Sequence, residues 1–130
     1  IAAFQRTAPL EASGRGSFLK QLVDVIYQFS RFMRDTPLGG VLPALAAERA
    51  HNPSLDEALT PLMSSRRQPI IDVIESAIES GELPVGLDAE IFADQCLGPI
   101  TMRIMLLNRA TSKKYIEGVV DCARLGVERS

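Results

Sequence analysis

The chain has a single histidine and two cysteines in 130 residues. That scarcity limits its chemistry at once. Glu48 and His51 form an E-x-x-H pair, which sets a carboxylate and an imidazole on one helical face and serves di-iron bundles in pairs. A second pair needs a second imidazole, so no such di-metal site can be assembled within the chain. Zinc lacks ligands for the same reason. No metal or other cofactor is expected. Nucleophilic catalysis requires a serine or cysteine beside a base. His51 is the only imidazole, and no G-x-S-x-G elbow occurs. Gly39-Gly40 leads to no Lys-Ser/Thr, which removes a phosphate-binding loop. Glu75 and Glu79 are an i,i+4 acidic pair on a face expected to be solvated. No enzyme emerges from this inventory.

Positive charge is not in surplus either. Lys and Arg number 14 against 16 Asp and Glu, for a net charge of −2. A domain that grips DNA ordinarily carries a clustered basic face. Arg66-Arg67 and Lys113-Lys114 are isolated doublets, too small to make one. No apolar run reaches the roughly 20 residues of a membrane span without interruption by charge. The opening residues IAAFQRTAPLEASG lack the positive region and long apolar centre of a signal peptide. A cytoplasmic location is expected, with Cys96 and Cys122 as buried, reduced thiols on apolar helical positions; the alternative is a structural disulfide between them. There is no initiator Met, and the chain reads as a piece of something longer. Alternation with period two is absent, so no strand is expected.

What is present is helical periodicity, and the fold class it implies is all-α. The length suits one domain with a single core. Residues 1–8 read as the end of a helix begun upstream, and residues 9–16 as a polar turn. Ser17 caps a helix in which Phe18, Leu22, Val25, Phe29 and Phe32 form one line. Leu19, Val23, Ile26 and Met33 form a second line beside it. The apolar face covers about half the circumference, wider than a two-helix seam needs, so this helix should face an interior. Thr36-Pro37 ends it and opens a shorter helix over residues 38–50, with Leu42 and Leu45 apolar. Asn52-Pro53 is a break, and Ser54-x-x-Glu57 fits a capping box for the next helix. That helix runs towards Ser80. Pro61 and Pro69 are expected to kink or interrupt it, because each removes an amide donor and crowds the preceding turn. Its later half, with Ile70, Ile71, Val73, Ile74, Ala77 and Ile78, is strongly apolar, and Gly81 terminates it.

Residues 88–126 are the stretch around which the rest is expected to be organised. Asp88 is an N-cap. Ile91, Phe92, Cys96, Leu97, Ile100, Met102, Ile104, Met105, Leu106 and Leu107 leave only a narrow polar sector, and Pro99 should bend the helix. Such a helix needs cover on two sides, and in a short chain one cover is expected to be another copy. Arg103 sits amid the apolar run, where an isolated cation is costly. It either pairs with a carboxylate or reaches a pocket or interface. Ser112 caps a final helix in which Gly118, Cys122 and Gly126 recur every four residues. Each interior glycine costs about 0.5–1 kcal/mol relative to alanine. The strip therefore implies close helix–helix contact.

Four stretches, taken in order, carry a family resemblance. Gly16-Ser17-Phe18-Leu19-Lys20-Gln21-Leu22 opens a long helix, and Asn52-Pro53-Ser54-Leu55 marks a break. Arg66-Arg67 precedes IIDVIESAIESGEL. The most specific is LGPITMRIML followed by SKKYIEGVVDCARLG. From about residue 14 onward the chain resembles the C-terminal domain of tetracycline-repressor (TetR) family transcriptional regulators. The resemblance implies a homodimer whose last two long helices form a four-helix interface, beneath an N-terminal helix-turn-helix domain. On that comparison residues 1–8 end a helix connecting to a DNA-binding domain absent from this chain. Residues 9–130 are then the ligand-binding and dimerisation domain, and operator DNA is reached only through the absent part.

The resemblance also implies a small apolar or amphipathic effector. It is expected between the first helix, residues 70–78 and the inner side of residues 88–108. Leu22, Ile26, Phe29, Phe32 and Met33 would contribute from the first. Ile70 and Ile74 would come from the second, and Phe92 and Cys96 from the third. Arg66 or Arg103 would be the polar anchor. The dimer interface would use Gly98, Met102 and Met105 with Gly118, Cys122 and Gly126. The alternative is a purely structural dimerisation module, with a solid core and no cavity beside Phe29 and Phe32.

Overall fold

The computed structural model describes residues 17–128. These form five helices, with no strand among the described residues. The expectations for residues 1–8 and 9–16 lie outside that range. Helix α1, Phe18–Asp35, begins where the Ser17 side chain accepts a hydrogen bond from the Lys20 amide. Phe18, Leu22, Val25, Ile26 and Met33 are buried along it, as the wide apolar face requires. This helix touches all four of the others. The centre of the molecule is thus α1, and the closing forty residues pack around it.

One residue turns the chain from α1 into α2, Pro37–Arg49. The Thr36 hydroxyl donates to the Phe32 carbonyl at 2.7 Å and accepts from the Gly39 amide at 3.0 Å. The corner is so tight that a Cβ on Gly39 would press on the Phe32 carbonyl oxygen and lie 2.7 Å from the Met33 Cα.

Helix α3, Pro53–Glu79, departs from expectation twice. Its cap is Asn52, whose side chain accepts from the Leu55 amide at 3.2 Å. The Ser54–Glu57 capping box does not form. Pro53, with no amide hydrogen and a helical φ already fixed, is best placed at the first helical position, which makes its predecessor the cap. Pro61 and Pro69 also fail to interrupt the helix, which runs on for 27 residues. Pro61 is exposed and Pro69 half-buried, whereas Leu59, Leu62, Ile70, Ile71, Val73 and Ile74 are buried. Packing on both sides of each proline holds the helix together. Ser80 ends it, and Gly81 follows in the left-handed conformation, φ 86°.

Helix α4, Ala89–Met105, starts where Asp88 accepts from the amides of Glu90 and Ile91, and Pro99 leaves it unbroken. Helix α5, Lys113–Glu128, starts where Ser112 accepts from the Tyr115 amide at 3.1 Å. Phe92, Ala93, Cys96, Leu97 and Ile100 turn α4 into the main core, which also holds α1, the later half of α3 and Ile116, Val120 and Ala123 of α5. A smaller cluster of Phe32, Met33, Leu42 and Leu62 joins α1, α2 and the early part of α3. Within the chain α4 is covered on one side only: Ile91, Met102 and Leu106 remain exposed.

The two cysteines differ. Cys96 is fully buried, and desolvation pushes its thiol up to about 12. Cys122 is exposed, which corrects the expectation that both are buried; neither is in a disulfide. In the native chain at pH 8, one thiol is expected to react with an aromatic disulfide reagent, and two after unfolding. Two fast equivalents from native protein would contradict the packing. Burial favours the protonated form, so the native chain keeps a proton that the unfolded chain releases above its ordinary value of 9.0. The contribution of Cys96 to stability is therefore intact below that pH and declines as pH rises towards 12.

Candidate ligand-binding cleft

Between α3 and α4 the two helices present facing stripes. Thr60, Met63, Ser64 and Arg67 follow the i, i+3, i+4, i+7 spacing of one face on α3. Asp94, Leu97, Gly98, Thr101 and Met105 do the same on α4. They line a cleft of about 780 Å³ floored by Phe29 and Ile70 and edged by Met102 and Leu106. That volume lies within the range of small-molecule sites, roughly 300–1,000 Å³. The surface the cleft exposes is mostly apolar and comes from Phe29, Met63, Ile70, Leu97, Met102, Met105 and Leu106, with arginine, aspartate, threonine and serine among them.

Ion pairs fix both ends. Arg67 bridges the helices, reaching Glu90 at 2.9 Å and Asp94 at 2.8 Å, and it also donates to the Glu90 carbonyl at 3.0 Å. At the other end Arg49 of α2 pairs with Asp56 at 2.8 Å and donates to the Thr60 hydroxyl at 2.7 Å. Arg66 is buried in the wall, its guanidinium 4.7 Å from the centroid of the Phe32 ring. Loss of water from around it lowers its proton affinity. The cation stays charged, since arginine starts so high.

Of the residues expected to bind an effector, the structure brings Phe29, Arg66 and Ile70 to this cleft. Leu22, Ile26, Ile74, Phe92 and Cys96 lie fully enclosed in the main core, outside the lining. Phe32 and Met33 belong to the smaller cluster. Arg103 points the other way, its guanidinium 4.0 Å from the centroid of the Tyr115 ring on α5. The carboxylate considered for it gives way to an aromatic face. Gly98, Met102 and Met105, assigned to a dimer surface, line the cleft as well. Thr60, Met63, Ser64, Leu97 and Thr101 were missed. Their facing i, i+3, i+4 spacing was the available signal.

A second, shallower groove of about 600 Å³ runs between α4 and α5, past Gln95, Pro99, Gly118 and Cys122. A Cβ on Gly98, Gly118 or Gly126 would meet no other atom within 4 Å. The close helix contact expected at the glycine strip is therefore not made within the chain. Among the described residues no group of three metal-ligating side chains occurs, and no helix is long and apolar enough to cross a membrane. His51 is exposed and outside the cleft lining. The arrangement is suited to holding an apolar molecule.

Residues 13–123 match a family model described as "Tetracyclin repressor-like, C-terminal domain". The fold is similar to the crystal structure of the TetR family transcription regulator SCO0332, with a TM-score of 0.79 and 22% identity. That likeness covers 91% of this chain and 65% of the other, so the chain spans a little under two thirds of that protein's length. No protein of curated function matches the sequence.

Proposed function

The chain belongs to the tetracyclin repressor-like C-terminal domain family, and on that footing we propose that it is the effector-binding and dimerising half of a DNA-binding transcriptional regulator. One observation carries the effector part: an apolar cleft of about 780 Å³ whose wall holds the buried Arg66. A purely structural module would fill that space with side chains, so the open cleft favours ligand binding. The expected ligand is small and apolar or amphipathic, with its aliphatic part along Ile70, Leu97 and Met105.

The dimer part is supported by the uncovered side of α4 and by the family, whose regulators are typically dimeric. Binding would regulate transcription by favouring one arrangement of the helices that carry the DNA-reading heads. It does so only through its difference in affinity between arrangements.

A neutral fluorophore, N-phenyl-1-naphthylamine, tests the cleft. Thr101→Trp should fill it and lower probe affinity at least tenfold while leaving the circular dichroism unchanged. Equal binding by the variant would remove the cleft from consideration. In the intact regulator, operator affinity with and without a cleft ligand should change by the same factor as ligand affinity with and without operator. Absence of that reciprocity would sink the inducer model.

A further inference from the structure

Helix α3 turns one line of residues inward along its length. Leu59, Leu62, Arg66, Ile70, Val73 and Ala77 follow one another at intervals of three or four, and all are buried. The line is apolar except for Arg66, which is 6% exposed. Among the described residues no other charged side chain is buried. A cation there carries a desolvation cost that leucine or methionine would avoid, and replacing buried ions by well-packed apolar residues is often neutral or stabilising. Packing alone therefore gives no reason for arginine at this position. Its location does, because Arg66 lies in the wall of the α3–α4 cleft with Met63 and Ile70 on either side along the helix.

The Phe32 ring centroid lies 4.7 Å from the guanidinium carbon. A ring engages the face of a guanidinium, whereas a carboxylate engages its edge through parallel N–H donors, so the two contacts are compatible. The other arginines of the lining are tied to carboxylates, Arg49 to Asp56 and Arg67 to Glu90 and Asp94. Asp94 is the one carboxylate among the described lining residues. A cationic effector would have to draw it from Arg67 and so open the tie between α3 and α4. An anionic effector leaves these pairs standing. Burial adds to the attraction, since a cation stripped of water gains more from an opposite charge than one in solvent. We infer that the effector is an organic acid, its carboxylate held at the Arg66 guanidinium and its apolar body lying along Phe29, Ile70 and Leu97. The inference rests on the effector reading above and gives that ligand its charge.

The test is displacement of N-phenyl-1-naphthylamine from the native chain at pH 8 by decanoate and by decanol, which share a chain length and differ in the head group. Decanoate is expected to bind at least tenfold more tightly than decanol. Arg66→Met puts an apolar side chain of similar reach into an apolar line, and should bring the two to parity through loss of decanoate affinity with the circular dichroism unchanged. Arg66→Gln serves where that variant folds poorly, with the same expectation. Equal displacement from the native chain overturns the inference, and this arm needs no variant; it is the result an arginine kept only for structure would give. A folded variant that keeps the decanoate preference overturns it as well. Displacement by neither compound overturns the inference and leaves the effector reading standing on the probe itself. No probe binding by the native chain overturns the effector reading and the inference together.

Discussion

Gly39→Ala is expected to destabilise the domain by about 3 kcal/mol, at the upper end of what overpacking typically costs. The new methyl group would be driven into the main chain of α1, at the Phe32 carbonyl and the Met33 Cα. Backbone cannot swing aside as a flexible side chain can. The two Thr36 hydrogen bonds also hold the corner closed, so relief of the clash strains them. Gly40→Ala, one position along, should do the reverse. Its Cβ would meet nothing, and alanine in a helix is better than glycine by up to about 1 kcal/mol. Urea unfolding followed by circular dichroism at 222 nm separates the two variants. Small effects of the same sign at both positions would contradict the close approach.

Phe92→Ala should cost about 4 kcal/mol, within the range for deleting a buried aromatic ring. The side chain is 1% exposed, and its ring centroid lies 6.4 Å from that of Phe18. Removing it opens a void between α4 and the start of α1 that neither helix can close while its other residues stay packed. A loss of that size approaches the whole stability of a marginal domain, about 5–15 kcal/mol. Phe92→Leu should cost about 1–2 kcal/mol, because much of the volume remains. Urea midpoints in that order support the packing described. A Phe92→Ala variant within 1 kcal/mol of the native chain would place the core elsewhere. The same helix lines the cleft, so this variant should also weaken probe binding.

Much of the fold was legible because its signals are local. Ser17, Asp88 and Ser112 each precede an apolar run and cap it, and Gly81 stops α3 where a positive φ is needed. The apolar half of α1 correctly announced an interior position. Non-local facts were not legible in this way. The prolines at 61 and 69 read as breaks because the local rule counts lost bonds, while the packing that overrides it comes from α1 and α4. Gly39 was weighed only as part of a phosphate-binding loop, since the close approach that requires it depends on where Phe32 and Met33 of α1 lie. The cleft was less legible than the fold. Phe29, Arg66 and Ile70 reach the cleft, whereas its other walls mix threonine, serine and methionine, and apolar periodicity does not single these out. Cys122 looked buried because it falls at an apolar helical position, yet it is exposed among the described residues.

The two prolines of α3 have a mechanical consequence. A proline nitrogen carries no hydrogen, so the carbonyls four residues earlier, at Glu57 and Ser65, lose their usual helical partner. The 27-residue rod is thus scored at two places. The length between the scores holds Met63 and Ser64 of the cleft wall, and the two arginines follow just ahead of the second proline. Flexing the rod there severs fewer main-chain bonds than flexing it elsewhere, which makes the wall of the cleft the compliant section of an otherwise stiff beam.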